Sequence, residues 1–142
     1  MGLSAPGRLP GRRTAVVLIG GTIGTAARAS LEAAYPAQPG SWPWATFLIN
    51  LSGAFVLGVL LETLSRRGPD TGLRHYLRLG LGTGVLGGYT TYSTFTVESV
   101  RLVGNGALLA GLGYALGSVL LGLIATLAGM LLAGRLVPRA RA

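Results

Sequence analysis

There is no cysteine in this chain, no lysine, one histidine (His75) and only four acids, Glu32, Glu62, Asp70 and Glu98. Each scarcity removes a class of chemistry. Without cysteine there is no disulfide framework, no thiolate nucleophile and no cysteine-ligated metal. One histidine cannot build a His-based metal cluster. With no paired acids beside it, little remains for acid–base or nucleophilic catalysis, so the sequence is not expected to be an enzyme. Charged residues make up 11% of the chain, against about 25% in ordinary soluble domains.

What is present is apolar and small. Half of the 142 residues are hydrophobic and 24 are glycine, more than double the usual glycine share of about 7%. All twelve basic residues are arginine and the formal net charge is +8. A strongly basic balance can signal nucleic acid. Here the arginines stand at the ends of apolar segments rather than along one face, which is a membrane pattern, and no nucleic-acid partner is expected.

A bilayer span needs about 20 mostly apolar residues. Four runs qualify, with helices expected over about 14–34, 43–64, 76–103 and 106–136. Pro36, Pro39 and Pro43 punctuate the first connection, Pro69 the second, and Pro138 follows the last run. Pro43 suits a first helical turn, where its missing N–H costs nothing. The first run is too long and glycine-interrupted for a cleaved leader, and it carries Arg28. Residues 1–13 read as a disordered basic tail, 14–136 as one transmembrane unit and 137–142 as a C-terminal tail. The class is an all-α membrane protein. Glycines four apart (Gly20 and Gly24, Gly80 and Gly84, Gly84 and Gly88, Gly113 and Gly117) let helix backbones approach closely. Four short helices enclose little space, so a dimer is expected.

Ten arginines (8, 12, 13, 66, 67, 74, 78, 135, 139 and 141) fall on one side of these spans, and only Arg28 and Arg101 on the other. The positive-inside rule then puts both termini in the cytoplasm. Polar groups at membrane depth each need a partner or a role. Arg28 has a plain reading as a snorkelling or ion-paired helix end. Asn50 either bonds a neighbouring helix or lines a polar path as a donor. Glu98 and Arg101, three apart on one face, read as a local pair. Glu62, near a span end, reads as interfacial. Tyr114, Ser118 and Thr126 share one face of the fourth run, and its hydroxyls could instead bond their own backbone carbonyls.

The third run contains "GGYTTYSTF", Gly87 to Phe95. Two glycines followed by β-branched threonines disfavour a continuous helix. Irregular backbone at membrane depth survives only when buried in protein or lining a polar cavity. Such a break exposes carbonyls at the end of one half-helix and N–H groups at the start of the next, so it can hold a cation on the former and favour an anion near the latter. The hydroxyls there, Ser93 and Thr94 included, donate without adding charge. Tyr92 and Phe95 are three apart. Either they form an ordinary aromatic packing pair, or their electropositive ring edges face a small anion.

These residues carry a resemblance. "GGTIGTAAR", "WPWATFLINLSGAFVLG", "TGVLGGYTTYSTFTVES" and a Gly/Ser-rich fourth span make the chain, from Gly20 to Gly134, similar to the small fluoride-channel family (Fluc/CrcB). The resemblance implies an antiparallel dimer of four-helix subunits with a broken third helix and two fluoride pathways. It also implies a structural, untransported sodium ion at the dimer centre, held by backbone carbonyls that fall here on Gly87 and Thr90. The family's ring pair falls on Tyr92 and Phe95, its pathway asparagine on Asn50, its polar track on Tyr114 and Ser118, its helix-one arginine on Arg28 and its third-helix acid on Glu98. The chain departs from the family at Tyr92, usually phenylalanine, and at Gly122, often a hydroxyl residue. The expected function is passive export of fluoride across the cell membrane, lowering its toxicity. The alternative is a proton-coupled small-molecule exporter of the small four-helix type, for which Glu32 is the available acid. The partner in the dimer is a second copy or, given the arginine bias, an oppositely inserted homologue.

Overall fold

The computed structural model describes residues 11–140, and all regular structure among them is helical. The apolar runs free of internal proline fold as long helices: α1 (Gly11–Ala34) and α2 (Trp44–Arg66, entered through Pro43). The third region is composite. Helix α3 (Gly72–Leu77) passes into a nine-residue π-helical segment, Arg78–Leu86, then into the short α4 (Gly87–Tyr89). Residues 90–92 belong to no helix, and α5 (Ser93–Gly104) follows. The chain ends in α6 (Leu108–Leu136). Arg12 and Arg13, expected in the tail, form the first turn of α1; the remainder of that tail, and residues 141–142, lie outside the described residues.

Helices α1, α2 and α6 are each long and apolar enough to cross a bilayer. Their surfaces agree with that solvent: Leu109 is 86% exposed, Leu131 66% and Leu18 65%. In water such a continuous apolar exterior would drive association. The buried core is small, centred on Phe47, Leu102 and Tyr114. π-Helices usually run for a single turn and mark functional sites; this one is longer and carries Gly80, Gly82 and Gly84.

Two helix pairs make the bundle. Helix α1 packs on the π segment and α4, and α2 packs on α6. Missing side chains permit both contacts. A Cβ on Gly20 would strike the Gly80 carbonyl, one on Gly24 the Val85 carbonyl and one on Gly88 the Gly21 carbonyl. Across the other pair, Gly58 lies against the Thr126 carbonyl and Gly129 against the Phe55 carbonyl. Gly113 and Gly117 serve a different purpose: both face the ring of Trp42, at 3.9 and 4.0 Å from an added Cβ.

These contacts make a prediction. In Gly24→Ala the methyl meets backbone, not a flexible side chain. Overpacking of this kind costs about 1–3 kcal/mol, so the thermal unfolding midpoint in detergent should drop clearly. Gly21→Ala, whose Cβ meets nothing within 4 Å, should leave it unchanged. Equal midpoints for the two variants would contradict the backbone-on-backbone packing.

Candidate functional site

The interruption at residues 90–92 is shaped by diverted hydrogen bonds. Thr90 donates its N–H to the Leu86 carbonyl at 3.0 Å, then turns extended at φ −76°, ψ 157°. In a continuous helix the Thr91 N–H would serve the carbonyl of Gly87, and the Thr94 N–H that of Thr90. Instead the Thr91 N–H donates to Asn50 Oδ1 at 2.8 Å, while Asn50 Nδ2 donates to the Thr91 carbonyl at 2.9 Å. The Thr94 N–H donates to Thr91 Oγ1 at 3.2 Å, so Thr91 caps α5. Gly88's carbonyl accepts from Arg28 Nε at 3.2 Å and Thr25 Oγ1 at 3.4 Å. The carbonyls of Gly87, Tyr89 and Thr90 are left without a hydrogen bond among the described residues.

Asn50 thus closes a two-bond clasp from α2 onto the interruption. Arg28 holds the other side from α1, and its Nη1 also pairs with Glu32 Oε2 at 3.3 Å, four residues on. Of the plain readings, the neighbour-helix bond for Asn50 and the helix-end pair for Arg28 are both present. Both side chains also reach the backbone of the third region.

A groove of about 460 Å³ runs beside the interruption. It gathers Asn50, Gly87, Thr90, Tyr92, Phe95 and Ser118, and no charged side chain among the described residues lines it. Tyr92 and Phe95 sit with ring centroids 6.0 Å apart, tilted at 43°. Tyr92 is 80% exposed. Ser118 Oγ is buried without a hydrogen-bond partner among the described residues. Thr126 Oγ1 instead donates to its own Gly122 carbonyl at 3.0 Å. So Ser118 and Thr126 on the fourth-helix stripe differ: the hydroxyl of Thr126 is spent on backbone, that of Ser118 is free.

Three of the expected ion-pathway residues lie off the groove. Tyr114 is fully buried behind it, its ring centroid 5.4 Å from that of Phe95 and 5.4 Å from that of Trp42. Ser93 and Thr94 line a separate cavity of about 670 Å³ together with Glu98, Arg101 and the α1–α2 connection. The expected local pair of Glu98 with Arg101 is not formed. Glu98 Oε1 accepts from Thr46 Oγ1 at 2.9 Å and Oε2 from Tyr114 at 2.7 Å, while Arg101 is exposed. Two hydroxyl donors satisfy the carboxylate as it turns into the bundle, and this ties α2, α5 and α6 together. Thr46 was not singled out from the sequence. It lies four residues before Asn50, hence on the same face of α2, and that spacing is the signal that could have found it. Glu62 pairs with Arg66 at 2.6 Å.

Tyr114→Phe should keep the packing on Phe95 and Trp42 but leave one Glu98 oxygen unpaired. A hydrogen bond to a charged acceptor such as this half-buried carboxylate contributes about 1.5–3 kcal/mol. Thermal unfolding of the purified variant should show that loss, and an unchanged midpoint would mean that the Glu98 clasp contributes nothing.

A family model described as "CrcB-like protein, Camphor Resistance (CrcB)" matches residues 15–130. The chain belongs to the CrcB family. It is 49% identical over 129 residues to "Fluoride-specific ion channel FluC 2" of Leifsonia xyli subsp. xyli, covering 91% of this chain and 88% of that one. Over 107 residues it is 49% identical to "Fluoride-specific ion channel FluC 1" of Cutibacterium acnes, covering 75% of each. A Nocardia farcinica protein named "Fluoride-specific ion channel FluC 2" is 40% identical over 133 residues, covering 92% of this chain and 90% of the other. The match spans every element from α1 to most of α6, so the CrcB resemblance expected from "TGVLGGYTTYSTFTVES" holds for nearly the whole chain. With its three apolar helices, this CrcB member is a multi-pass membrane protein.

Proposed function

We propose that this protein is a fluoride-selective channel that lets the ion leave the cell passively and so limits its toxicity. The observation carrying this reading is the groove itself: hydroxyl and amide donors and two aromatic rings, with no charged side chain among the described residues. A small, hard anion is stabilised by preorganised N–H and O–H dipoles and by aromatic edges. A fixed arginine at the same place would bind it too tightly to release, and conduction requires binding weak enough to leave. The free Ser118 hydroxyl is such a donor, and Asn50 Nδ2 retains a second N–H after its bond to Thr91. Glu32, the acid a proton-coupled exporter would use, is paired with Arg28 and lies off the groove. The names of the related chains agree with the channel reading.

The functional unit is an antiparallel dimer. Polar groups and interrupted backbone cannot face lipid, yet Tyr92 and Gly87 are exposed in the single chain, so a second subunit supplies the far wall. The carbonyls of Gly87 and Thr90, both free, are hard oxygen donors suited to sodium, and this pair from each subunit would hold one such ion. A sodium ion there would supply the positive charge that pins two half-helix ends together. The termini are cytoplasmic, in the plasma membrane. The arginine bias favours pairing with an oppositely inserted homologue, and equal labelling of this chain's termini from both sides of intact cells would count against that pairing.

The test is fluoride efflux from liposomes holding the purified protein, alone and with a co-expressed homologue. Fluoride should leave while chloride stays. Chloride efflux as fast as fluoride efflux would rule out selectivity, and no efflux from either preparation would rule out a channel.

A further inference from the structure

The arginine-rich end of the molecule carries a site that ion conduction does not use. Between the last turns of α2 and the start of α3 lies a crevice of about 370 Å³. Its lining mixes two chemistries. Leu61 and Leu64 belong to the apolar span of α2, Ser65 to its last turn, Gly68 and Asp70 to the connection, Arg74 to α3 and Arg78 to the π-helical segment. The guanidinium of Arg74 is held there by one bond, Nε to the Pro69 carbonyl at 2.8 Å. It rests beside Gly68 (φ +117°), where an added Cβ would stand in ordinary contact, 3.5 Å from Nη2. Both Nη groups of Arg74 are without a hydrogen bond or ion pair among the described residues. Several neighbouring charges are paired. Asp70 accepts from His75 and Arg78, and Arg66 is taken by Glu62 and the Val137 carbonyl.

We propose that this crevice binds the phosphate of an anionic phospholipid, with the free Nη fork of Arg74 on the phosphodiester and an acyl chain against Leu61 and Leu64. An orientated guanidinium with two free N–H faces matches a phosphate in a bidentate way that an ammonium does not. Basic residues just outside a span attract anionic lipid wherever they stand. That general attraction does not explain a guanidinium anchored by its Nε with its fork unused. Nor does a free phosphate use the leucines. A zwitterionic lipid brings its own ammonium and competes poorly for the fork.

The experiment titrates the purified full-length protein in detergent with phosphatidylglycerol, phosphatidylcholine or inorganic phosphate and counts bound adducts by native mass spectrometry. Phosphatidylglycerol should half-saturate the site at about tenfold lower concentration than phosphatidylcholine, and millimolar phosphate should not displace it. Arg74→Gln should remove that about tenfold preference, and Arg74→Lys, which keeps the charge and loses the fork, should remove most of it. Arg67→Gln, an exposed neighbour, should change binding by less than about twofold. The proposal is overturned by equal binding of the two lipids, by displacement with inorganic phosphate, or by equal effects of the Arg74 and Arg67 substitutions. Should Arg74→Gln fail to fold, the wild-type lipid and phosphate arms still decide.

Discussion

Replacing Phe95 by isoleucine should nearly abolish fluoride flux while leaving the fold standing. Phe95 lines the groove between Tyr92, 6.0 Å away ring to ring, and Tyr114, 5.4 Å away. Isoleucine is apolar and fills much of the same space. The packing loss is that of a roughly volume-conserving swap, under about 1.5 kcal/mol, plus the loss of aromatic pairing, about 0.5–1.5 kcal/mol. What isoleucine cannot replace is an electropositive ring edge facing a partly dehydrated anion. Raising that barrier by about 2.7 kcal/mol slows passage about a hundredfold. Tyr92→Phe keeps the edge and removes only an exposed hydroxyl, so it should conduct. The pair is measured by fluoride-electrode efflux from liposomes, with gel-filtration position and unfolding midpoint as fold controls. Efflux by Phe95→Ile close to wild type would remove the ring edges from the mechanism.

The second large effect is expected at Asn50, and it is an effect on the fold. The Thr91 backbone is enclosed, with the residue 8% exposed. Both its N–H and its carbonyl are satisfied by the one amide, at 2.8 and 2.9 Å. Asn50→Ala strands both. At about 1–3 kcal/mol per buried orphan, the total is about 2–6 kcal/mol, comparable with the whole stability of many domains, about 5–15 kcal/mol. Asn50→Asp sharpens the test. A carboxylate can still accept from the Thr91 N–H, but its second oxygen faces the Thr91 carbonyl and repels it, so aspartate should rescue little. Unfolding midpoints of both variants decide the matter; an aspartate variant as stable as wild type would show that the donor half of the clasp is dispensable.

Much of this was legible along the chain. Apolar run length and proline placement located α1, α2 and α6 to within a few residues, because a bilayer imposes a length on each span. "GGYTTYSTF" drew attention because two glycines and β-branched threonines are poor helix formers, and residues 90–92 do stand outside any helix. The glycine spacings pointed to close helix contacts, and three of the four pairs lie between α1 and the third region. The fourth, Gly113 and Gly117, accommodates Trp42 instead. Spacing shows that a face is small and does not name what lies against it. The Glu98–Arg101 reading failed for the same reason: i,i+3 proximity was visible, while Thr46 and Tyr114 arrive from other helices.

By itself the sequence determined the class of this protein. Composition, the length of the apolar runs and the arginine distribution are one-dimensional quantities, and they suffice for an all-helical membrane chain with a weakened third region. Only the tertiary structure decided how that weakness is satisfied. The diversion of the Thr91 N–H to Asn50 spans 41 residues of chain, and the bond from Arg28 to the Gly88 carbonyl spans 60. The diverted Thr91 N–H leaves the Gly87 carbonyl free, and the docking of the helices puts Ser118 in the groove, Tyr114 behind it, and Ser93 and Thr94 in a separate cavity. Hydrogen-bond partners at such separations depend on how whole helices dock, and no local pattern of residues encodes that.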